Sequence, residues 1–272
     1  VLVGTACAVG EVRIVWWRAI AAMVAAFAIQ VGTNYANDHS DGKRGTDDPG
    51  RRAGPVRLVG SGLASARAVL WAAIAAFAVA AIAGLSLSIA VDLRLLVVGV
   101  ASFAAGWLYT GGPRPYGYAG LGELFVFLFF GLVATVGSTY VQTERITGLS
   151  IGASIPVGLL ATALLVVNNL RDIPGDTESG KRTLAVRLGD QRTRILYVAL
   201  LVGAVVAVPL VSGLGQRPAG ALALIAIPFA QRPVTAVLSG ARGPALIPVL
   251  IATGRIQLIF GTLFALGLAI SG

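Results

Sequence analysis

Apolar runs of roughly membrane-spanning length follow one another along the whole chain. They lie near residues 1–10, 14–36, 66–90, 93–111, 119–141, 149–169, 195–212, 217–230 and 245–270. A helix needs roughly 20 apolar residues to cross a hydrocarbon core about 30 Å thick, and the alternating pattern of membrane strands is not seen. With 56% hydrophobic and 12% charged residues, the chain is predicted to be an all-α integral membrane protein with nine transmembrane helices. It opens inside an apolar run without an initiator Met, so the first helix is expected to be truncated.

Basic residues are distributed unequally between the two sides of such a bundle. If the helices alternate in direction, segments 37–67, 112–118, 170–194 and 231–244 share one side, with fifteen Lys and Arg residues against five on the other. The richer side is normally cytoplasmic, so we expect a multi-pass protein of the bacterial cytoplasmic membrane with these loops facing the cytoplasm. The net charge of +9 follows from this orientation and from contact with anionic membrane lipid. We therefore expect no nucleic-acid partner and no obligate protein partner.

Eight of the twelve acidic residues lie in just two of these loops. Each group follows an apolar helix and begins with an Asn four residues before an Asp, Asn34 and Asp38 in NYAND and Asn168 and Asp172 in NNLRD. Further acidic residues and a basic pair follow in each loop. These are Asp41, Asp47, Lys43 and Arg44 in the first motif, and Asp176, Lys181 and Arg182 in the second.

Spacings of three and four residues place side chains on one face of a helix. The first motif is therefore predicted to present Asn34, Asp38 and Asp41 as a stripe at the end of the second helix. In the second motif, Pro174 is expected to end the helix, so that Asp176 is presented from a turn.

Carboxylates gathered this closely repel one another unless a cation lies between them. Mg²⁺ is typically held by one or two carboxylates together with substrate phosphates, and neighbouring Lys and Arg side chains neutralise the remaining phosphate charge. The two loops are therefore predicted to form a magnesium-diphosphate site at the mouth of a membrane cavity. The alternative is that both loops are solvated turns whose acids balance their basic neighbours.

The two motifs resemble those of a known family. NDHSDGKRGTDD is similar to the first aspartate-rich motif of the UbiA superfamily of intramembrane prenyltransferases, and NNLRDIPGD is similar to the second. Three further stretches, the GTD of the first motif, GPVRLVGSG and GKRTLAVRLG, resemble the 1,4-dihydroxy-2-naphthoate prenyltransferases, which make demethylmenaquinone. The resemblance covers nearly the whole chain, which is expected to form one domain over 1–272 with two internal repeats, about 1–141 and 142–272.

The resemblance implies a helical bundle around a central cavity and Mg²⁺-dependent transfer of a polyprenyl group from polyprenyl diphosphate to an aromatic acid acceptor. It implies that the metal is bound by Asp38, Asp41, Asp47, Asn168, Asp172 and Asp176, of which Asp38, Asp41, Asp172 and Asp176 are also catalytic. It implies that the diphosphate is bound by Asn34, Lys43, Arg44, Asn168, Arg171, Lys181 and Arg182. It also implies that Tyr109 and Arg114, in YTGGPR, lie near the reacting carbon and the carboxylate of the acceptor.

Several alternatives stay open on the sequence. A secondary transporter also uses repeats, broken helices and membrane-embedded acids, but its site normally lies at the bilayer midplane rather than at one face. Within the family, the acceptor could instead be 4-hydroxybenzoate, homogentisate or haem. His39 is expected to be a solvated loop residue, and Glu123 is compatible with either a functional role or an ordinary hydrogen bond.

Overall fold

The computed structural model describes residues 1–45 and 56–272. Regular structure within these residues is helical, as predicted. The α-helices are α1 (Leu2–Cys7), α2 (Trp16–Arg44), α3 (Ala66–Ala90), α4 (Leu95–Leu108), α5 (Gly122–Val126), α6 (Ala134–Thr143), α7 (Gly148–Glu178), α8 (Leu184–Leu188), α9 (Asp190–Leu214), α10 (Ile227–Leu238) and α11 (Ile247–Ile270). Short 3₁₀ helices cover Tyr116–Ala119, Pro218–Ala226 and Gly243–Leu246, and a π-helical turn covers Phe127–Val133.

Seven helical segments in the described part of the chain are long and apolar enough to cross a membrane. They are Trp16–Arg44, Ala66–Ala90, Gly122–Thr143, Gly148–Glu178, Asp190–Leu214, Pro218–Leu238 and Gly243–Ile270. The other two predicted segments are also helical but shorter, with 14 residues in α4 and 6 in α1. The predicted class, an all-α membrane protein, is therefore confirmed, while the count of nine applies to apolar helical segments rather than to full-length spans.

Both motif-bearing helices are longer than the hydropathy predicted. Helix α2 continues to Arg44. The next residue, Gly45, adopts a left-handed conformation with φ 68°, and its N–H donates to main-chain carbonyls of the last turn. The apolar run ends before residue 37, whereas the helix ends only where glycine permits a left-handed cap. Helix α7 likewise runs through Pro174 to Glu178, so the prediction that Pro174 ends it was wrong. A single missing N–H is tolerated where surrounding helices hold the backbone in place.

Helix α7 is the central helix of the bundle. About 61% of its most apolar stretch is buried within the protein, compared with 17–33% for the other six spans. Val166 and Val167 of α7 are fully buried in one apolar core with Tyr197 of α9 and Phe264 of α11. Packing in this core fixes the position of α7, the helix that carries the second motif.

Two glycines bring α7 against the segment that joins α5 to α6. A Cβ on Gly131 would lie 2.7 Å from the Cα of Gly158, and one on Gly158 would lie 2.8 Å from the ring of Phe127. Small residues allow such close helix crossings in membranes. The crossing occurs within the π-helical turn, a feature frequent at functional sites, and it fixes α5 beside the second motif.

The end of the bundle opposite the two motifs is held by a separate polar cluster. Arg18, near the start of α2, donates to a main-chain carbonyl at the end of α6 at 3.0 Å. Asp92 lies between α3 and α4. Hydrogen bonds from Arg94 and from Tyr140 of α6 hold the pKa of Asp92 well below its usual range. Because a helix rises 1.5 Å per residue, Asp41 at the other end of α2 lies about 35 Å from Arg18.

Candidate active site

A cavity of about 210 Å³ opens between the ends of α2 and α7 and the segments that follow α4 and α7. Acidic and amide side chains from both motifs share its walls with basic side chains. Its charged and amide residues, among those that the structure describes, are Asn37, Asp41, Arg57, Asn168, Asn169, Arg171, Asp172, Asp176, Glu178 and Lys181. The two motifs, more than a hundred residues apart in sequence, therefore meet in one cavity.

The second motif lines this cavity with one face of α7. Asn168, Asp172 and Asp176 recur every four residues along the continuous helix, so all three face the same side, and each contributes to the wall. The neighbouring Arg171 is buried and binds Asp172 in a bidentate pair, Nε to Oδ1 at 2.7 Å and Nη2 to Oδ2 at 2.6 Å. Its Nη2 also donates to Oδ1 of Asn168 at 2.9 Å.

The third nitrogen of the Arg171 guanidinium takes no part in these hydrogen bonds. Its Nη1 is buried and has no hydrogen-bond partner among the described residues. A buried donor without a partner is costly, and in a charged group more so. Arg171 is also one of the residues that line the cavity, so its guanidinium lies beside any anionic ligand bound there.

Of the predicted stripe Asn34, Asp38 and Asp41, Asp41 lines the cavity, and it does so together with Asn37. Asn37 and Asp41 line the wall and are buried, and the amide oxygen of Asn37 accepts a hydrogen bond from the Thr110 hydroxyl at 2.8 Å. Asn34 is exposed and Asp38 is not part of the lining. Asn37 and Asp41 have the same four-residue spacing as Asn168 and Asp172, so the structure pairs the motifs one helical turn further along α2 than the prediction did.

Asp38 instead anchors the chain that returns towards α3. Its carboxylate is buried and accepts hydrogen bonds from the main-chain N–H of Leu58 at 2.9 Å and of Val59 at 3.0 Å. The same segment lies close to Gly42, where an added Cβ would come within 2.5 Å of the Val59 side chain. Both oxygens of Asp38 are thus committed to the main chain.

Asp41 joins the two motifs directly. Its Oδ2 lies 3.2 Å from Nζ of Lys181, in the segment after α7, and its Oδ1 accepts a 2.6 Å hydrogen bond from the Tyr118 hydroxyl. Burial disfavours the charged ammonium, but the nearby Asp41, Tyr118 and Asp176 outweigh it, so the pKa of Lys181 is raised. The Lys181 side chain therefore stays cationic at the cavity wall.

The remaining predicted basic residues lie outside the lining. Lys43, Arg44, Arg114 and Arg182 are exposed and do not contribute to the cavity wall. Arg44 donates to the carbonyls of Thr110 and Gly112. Arg114, predicted to lie near the acceptor, is thus at the surface, and Asp47 lies outside the described residues.

Tyr109 contributes an aromatic ring to the wall of the cavity. Its ring packs edge-on against Tyr116 at 5.5 Å between centroids, and Tyr116 in turn stacks on Phe125 at 4.0 Å. Burial raises the pKa of the Tyr109 hydroxyl, so it stays protonated at neutral pH.

His39 and Glu123 both have structural hydrogen bonds. His39 is buried within α2, and its Nδ1 donates to the carbonyl of Ala66 at 2.8 Å, so the expectation of a solvated loop residue was wrong. Glu123 is buried at the start of α5, and its Oε1 accepts from Nδ2 of Asn169 at 2.9 Å. Since Asn169 lines the cavity, Glu123 fixes the orientation of an amide in its wall.

A model of the UbiA prenyltransferase family matches residues 1–234 of the chain. The chain belongs to the UbiA prenyltransferase family. Two bacterial relatives are named 1,4-dihydroxy-2-naphthoate octaprenyltransferase. The one from Mycobacterium leprae is 47% identical over 100% of this chain and 91% of its own length, and the one from Mycobacterium tuberculosis is 48% identical over 99% and 91%.

The family fold is also seen among solved structures. A UbiA homolog from Archaeoglobus fulgidus, solved bound to DMAPP and Mg²⁺, superimposes with a TM-score of 0.62 over 99% of this chain and 93% of its own, at 16% identity. At this identity the likeness establishes the fold alone. It agrees with the all-helical bundle described above.

Several residues in the cavity wall of this UbiA-family chain were not predicted from the sequence. Asn37 could have been found, because Asn37 and Asp41 repeat the Asn-x-x-x-Asp spacing three residues after the pair chosen. Asn169 directly follows the predicted Asn168 in the sequence. Its role became visible only in the structure, through its hydrogen bond to Glu123. Tyr118 had no signal beyond its place in a Gly- and Pro-rich connector.

Proposed function

We propose that this protein transfers a polyprenyl group from polyprenyl diphosphate to 1,4-dihydroxy-2-naphthoate. The observation that carries the proposal is the shared cavity, in which Asp41 of the first motif meets Asp172 and Asp176 of the second beside Lys181 and Arg171. The names of the two mycobacterial relatives, nearly half identical over the full chain, support the naphthoate acceptor and an octaprenyl donor.

The donor set suits Mg²⁺ carried in by a diphosphate. Among residues 1–45 and 56–272, no three Asp, Glu, His or Cys side chains are already gathered into a metal cluster. Mg²⁺ needs fewer, since it keeps waters and is typically bound by one or two carboxylates plus substrate phosphates. Asp41, Asp172 and Asp176, with the amide oxygens of Asn37 and Asn168, would hold it. When bound, the ion supplies positive charge that stabilises a departing diphosphate.

The cations of the cavity complement the diphosphate. Arg171 offers an Nη1 that has no partner among residues 1–45 and 56–272, Lys181 offers the ammonium that now pairs with Asp41, and Arg57 also lines the wall. When the allylic C–O bond breaks, its electron pair leaves with the diphosphate. Fixed positive groups around that oxygen lower the barrier because they are oriented before the charge develops.

The apolar wall would receive the carbon part of the donor. The Tyr109 ring borders the cavity and would stabilise an allylic cation over its face, while the surrounding helices exclude water that would capture the cation. The electron-rich ring of the naphthoate then forms the new C–C bond, and loss of its carboxylate as CO₂ returns the electron pair that restores aromaticity. A phenolic hydroxyl would share its proton with Asp41 or Asp47 during the attack and regain it when CO₂ leaves, so that no proton is lost overall.

We also propose that the cavity end of the bundle faces the bacterial cytoplasm. The segments at this end carry most of the Lys and Arg residues, as the positive-inside rule requires. Cysteines introduced at exposed Ser179 and at exposed Glu144, at opposite ends of the bundle, test this orientation. A membrane-impermeant maleimide added to intact cells is expected to label position 144 and not position 179.

The reaction is tested with membranes from cells expressing the full chain. They are incubated with Mg²⁺, labelled octaprenyl diphosphate and, in parallel, 1,4-dihydroxy-2-naphthoate, 4-hydroxybenzoate or homogentisate. We expect prenylated product and an equal amount of CO₂ with the naphthoate only. Product with 4-hydroxybenzoate alone would contradict the acceptor assignment, and no product with any acid would contradict the enzyme assignment.

Matched variants connect the activity to the cavity. Asp172→Asn removes a carboxylate from the wall and is expected to abolish product formation. Asp92→Asn makes the same chemical change at the opposite end of the bundle and is expected to leave the rate unchanged. Equal rates for the two variants would show that the cavity is not the active site.

A further inference from the structure

Tyr118 lies between the two motifs and contacts both. It is part of the 3₁₀ helix Tyr116–Ala119, between α4 and α5, and it lines the cavity. Its hydroxyl donates to Oδ1 of Asp41 at 2.6 Å, and its main-chain carbonyl accepts from the N–H of Arg182 at 3.0 Å. One residue thus joins the end of α2 to the segment that follows α7.

The ring of Tyr118 makes separate contacts with two cations. Nζ of Lys181 lies 4.6 Å from the ring centroid and Cζ of Arg44 lies 5.4 Å from it. Both distances are within the range of cation–π attraction. The Lys181 ammonium is therefore held by the ring of Tyr118 as well as by the carboxylate of Asp41.

Each part of the side chain has its own consequence. The hydroxyl fixes the rotation of the Asp41 carboxylate, so that its other lone pairs keep one direction. The ring lies 4.6 Å from the Lys181 ammonium, and this contact does not depend on the ion pair between Lys181 and Asp41. A site with clustered acids and a mobile Lys side chain would otherwise lose entropy each time it is assembled.

We propose that Tyr118 is a positioning residue of the diphosphate site, with its hydroxyl orienting Asp41 towards the metal ion and its ring presenting Lys181 to the diphosphate. The proposal rests on the function proposed above. It predicts that the hydroxyl and the ring affect different ligands, which a purely structural residue would not do.

The test uses the full chain purified in detergent, with inorganic pyrophosphate and Mg²⁺ as probes and the melting temperature as the readout. Titrating Mg²⁺ at saturating pyrophosphate, and pyrophosphate at saturating Mg²⁺, gives two half-effect concentrations that do not depend on turnover. Tyr118→Phe removes only the hydroxyl, and Tyr118→Leu also removes the ring. Tyr140→Phe is the matched control, because it too removes a hydroxyl bonded to a carboxylate, that of Asp92, at the opposite end of the bundle.

We expect Tyr118→Phe to raise the half-effect concentration of Mg²⁺ about tenfold, the loss of one hydrogen bond to a charged group, and to change that of pyrophosphate less than twofold. Tyr118→Leu should also raise the pyrophosphate value, by about tenfold for a lost cation–π contact. Tyr140→Phe should change neither. If both Tyr118 variants match the wild type while Asp172→Asn abolishes the stabilisation, the positioning role is refuted and the proposed function stands. If the wild type is not stabilised and forms no prenylated product, both are refuted.

Discussion

Substitution by Asn is expected to have different effects at Asp38 and at Asp41, the two acidic residues of the first motif within α2. Asp38 accepts main-chain hydrogen bonds at 2.9 and 3.0 Å on its two oxygens. An amide has one acceptor oxygen and one donor group, so either Leu58 or Val59 would lose its partner and face an N–H. A buried donor left unpaired costs about 1–3 kcal/mol. In a chain somewhat shorter than this one, each kcal/mol of lost stability lowers the melting temperature by roughly 2–4 °C. Asp38→Asn should therefore lower the melting temperature by roughly 5 °C.

Asp41→Asn should affect catalysis more than stability. The amide oxygen can still accept the Tyr118 hydrogen bond, and Asp176 remains near Lys181 to compensate its charge. What is lost is a negative charge in the wall of the cavity. Removing one pre-oriented electrostatic contact typically costs about 100- to 1000-fold in rate, so Asp41→Asn should lower prenyl transfer by that order.

Both variants are measured as purified protein in detergent, by fluorescence-detected melting and by initial rates of labelled product per folded molecule. Asp92→Asn serves as the control for the Asp-to-Asn change itself. The reasoning is refuted if Asp38→Asn melts like the wild type yet is as inactive as Asp41→Asn. That result would place Asp38, rather than Asp41, at the reacting groups.

Three further changes test individual contacts. Gly42→Ala should lower the melting temperature, because its Cβ would come within 2.5 Å of the Val59 side chain, whereas an unchanged value would mean that this approach is looser. Glu123→Leu removes the acceptor for Asn169 and should raise the KM of a substrate several-fold. Glu123→Gln keeps an acceptor oxygen and should leave that KM nearly unchanged. Equal KM values for the two variants would contradict a positioning role for Glu123. Lys181→Met should raise the KM of the prenyl diphosphate about tenfold or more, the loss of a charged contact, and a donor KM equal to the wild-type value would exclude Lys181 from the diphosphate site.

Much of the second motif could be predicted from the sequence. Asn168, Asp172 and Asp176 follow one another at the four-residue spacing of a helix, and that regularity survives Pro174 because the buried surroundings of α7 keep the helix intact. The expectation that Pro174 ends the helix failed because proline's local cost, about 3 kcal/mol, was weighed without those surroundings. The two internal repeats stay a prediction.

The first motif shows where the sequence reasoning was insufficient. Asn34 with Asp38 and Asn37 with Asp41 have identical spacing, and both pairs lie on the same helix, rotated by about 300° from one another at 100° per residue. Local pattern cannot choose between them. The choice depends on what packs against each face, which is the 58–59 main chain for Asp38 and Lys181 with Tyr118 for Asp41.

The amino-acid sequence by itself determined that this chain is a helical membrane protein with two acidic motifs at one side. Both features are local, since hydropathy acts over about twenty residues and a motif over about ten. Only the tertiary structure decided which acid of the first motif enters the cavity, that Arg44, Arg114 and Arg182 stay outside it, and that Tyr118 joins the two motifs. These outcomes depend on contacts between residues as far apart in the chain as Asp41 and Lys181, and a pattern of neighbours carries no information about such contacts.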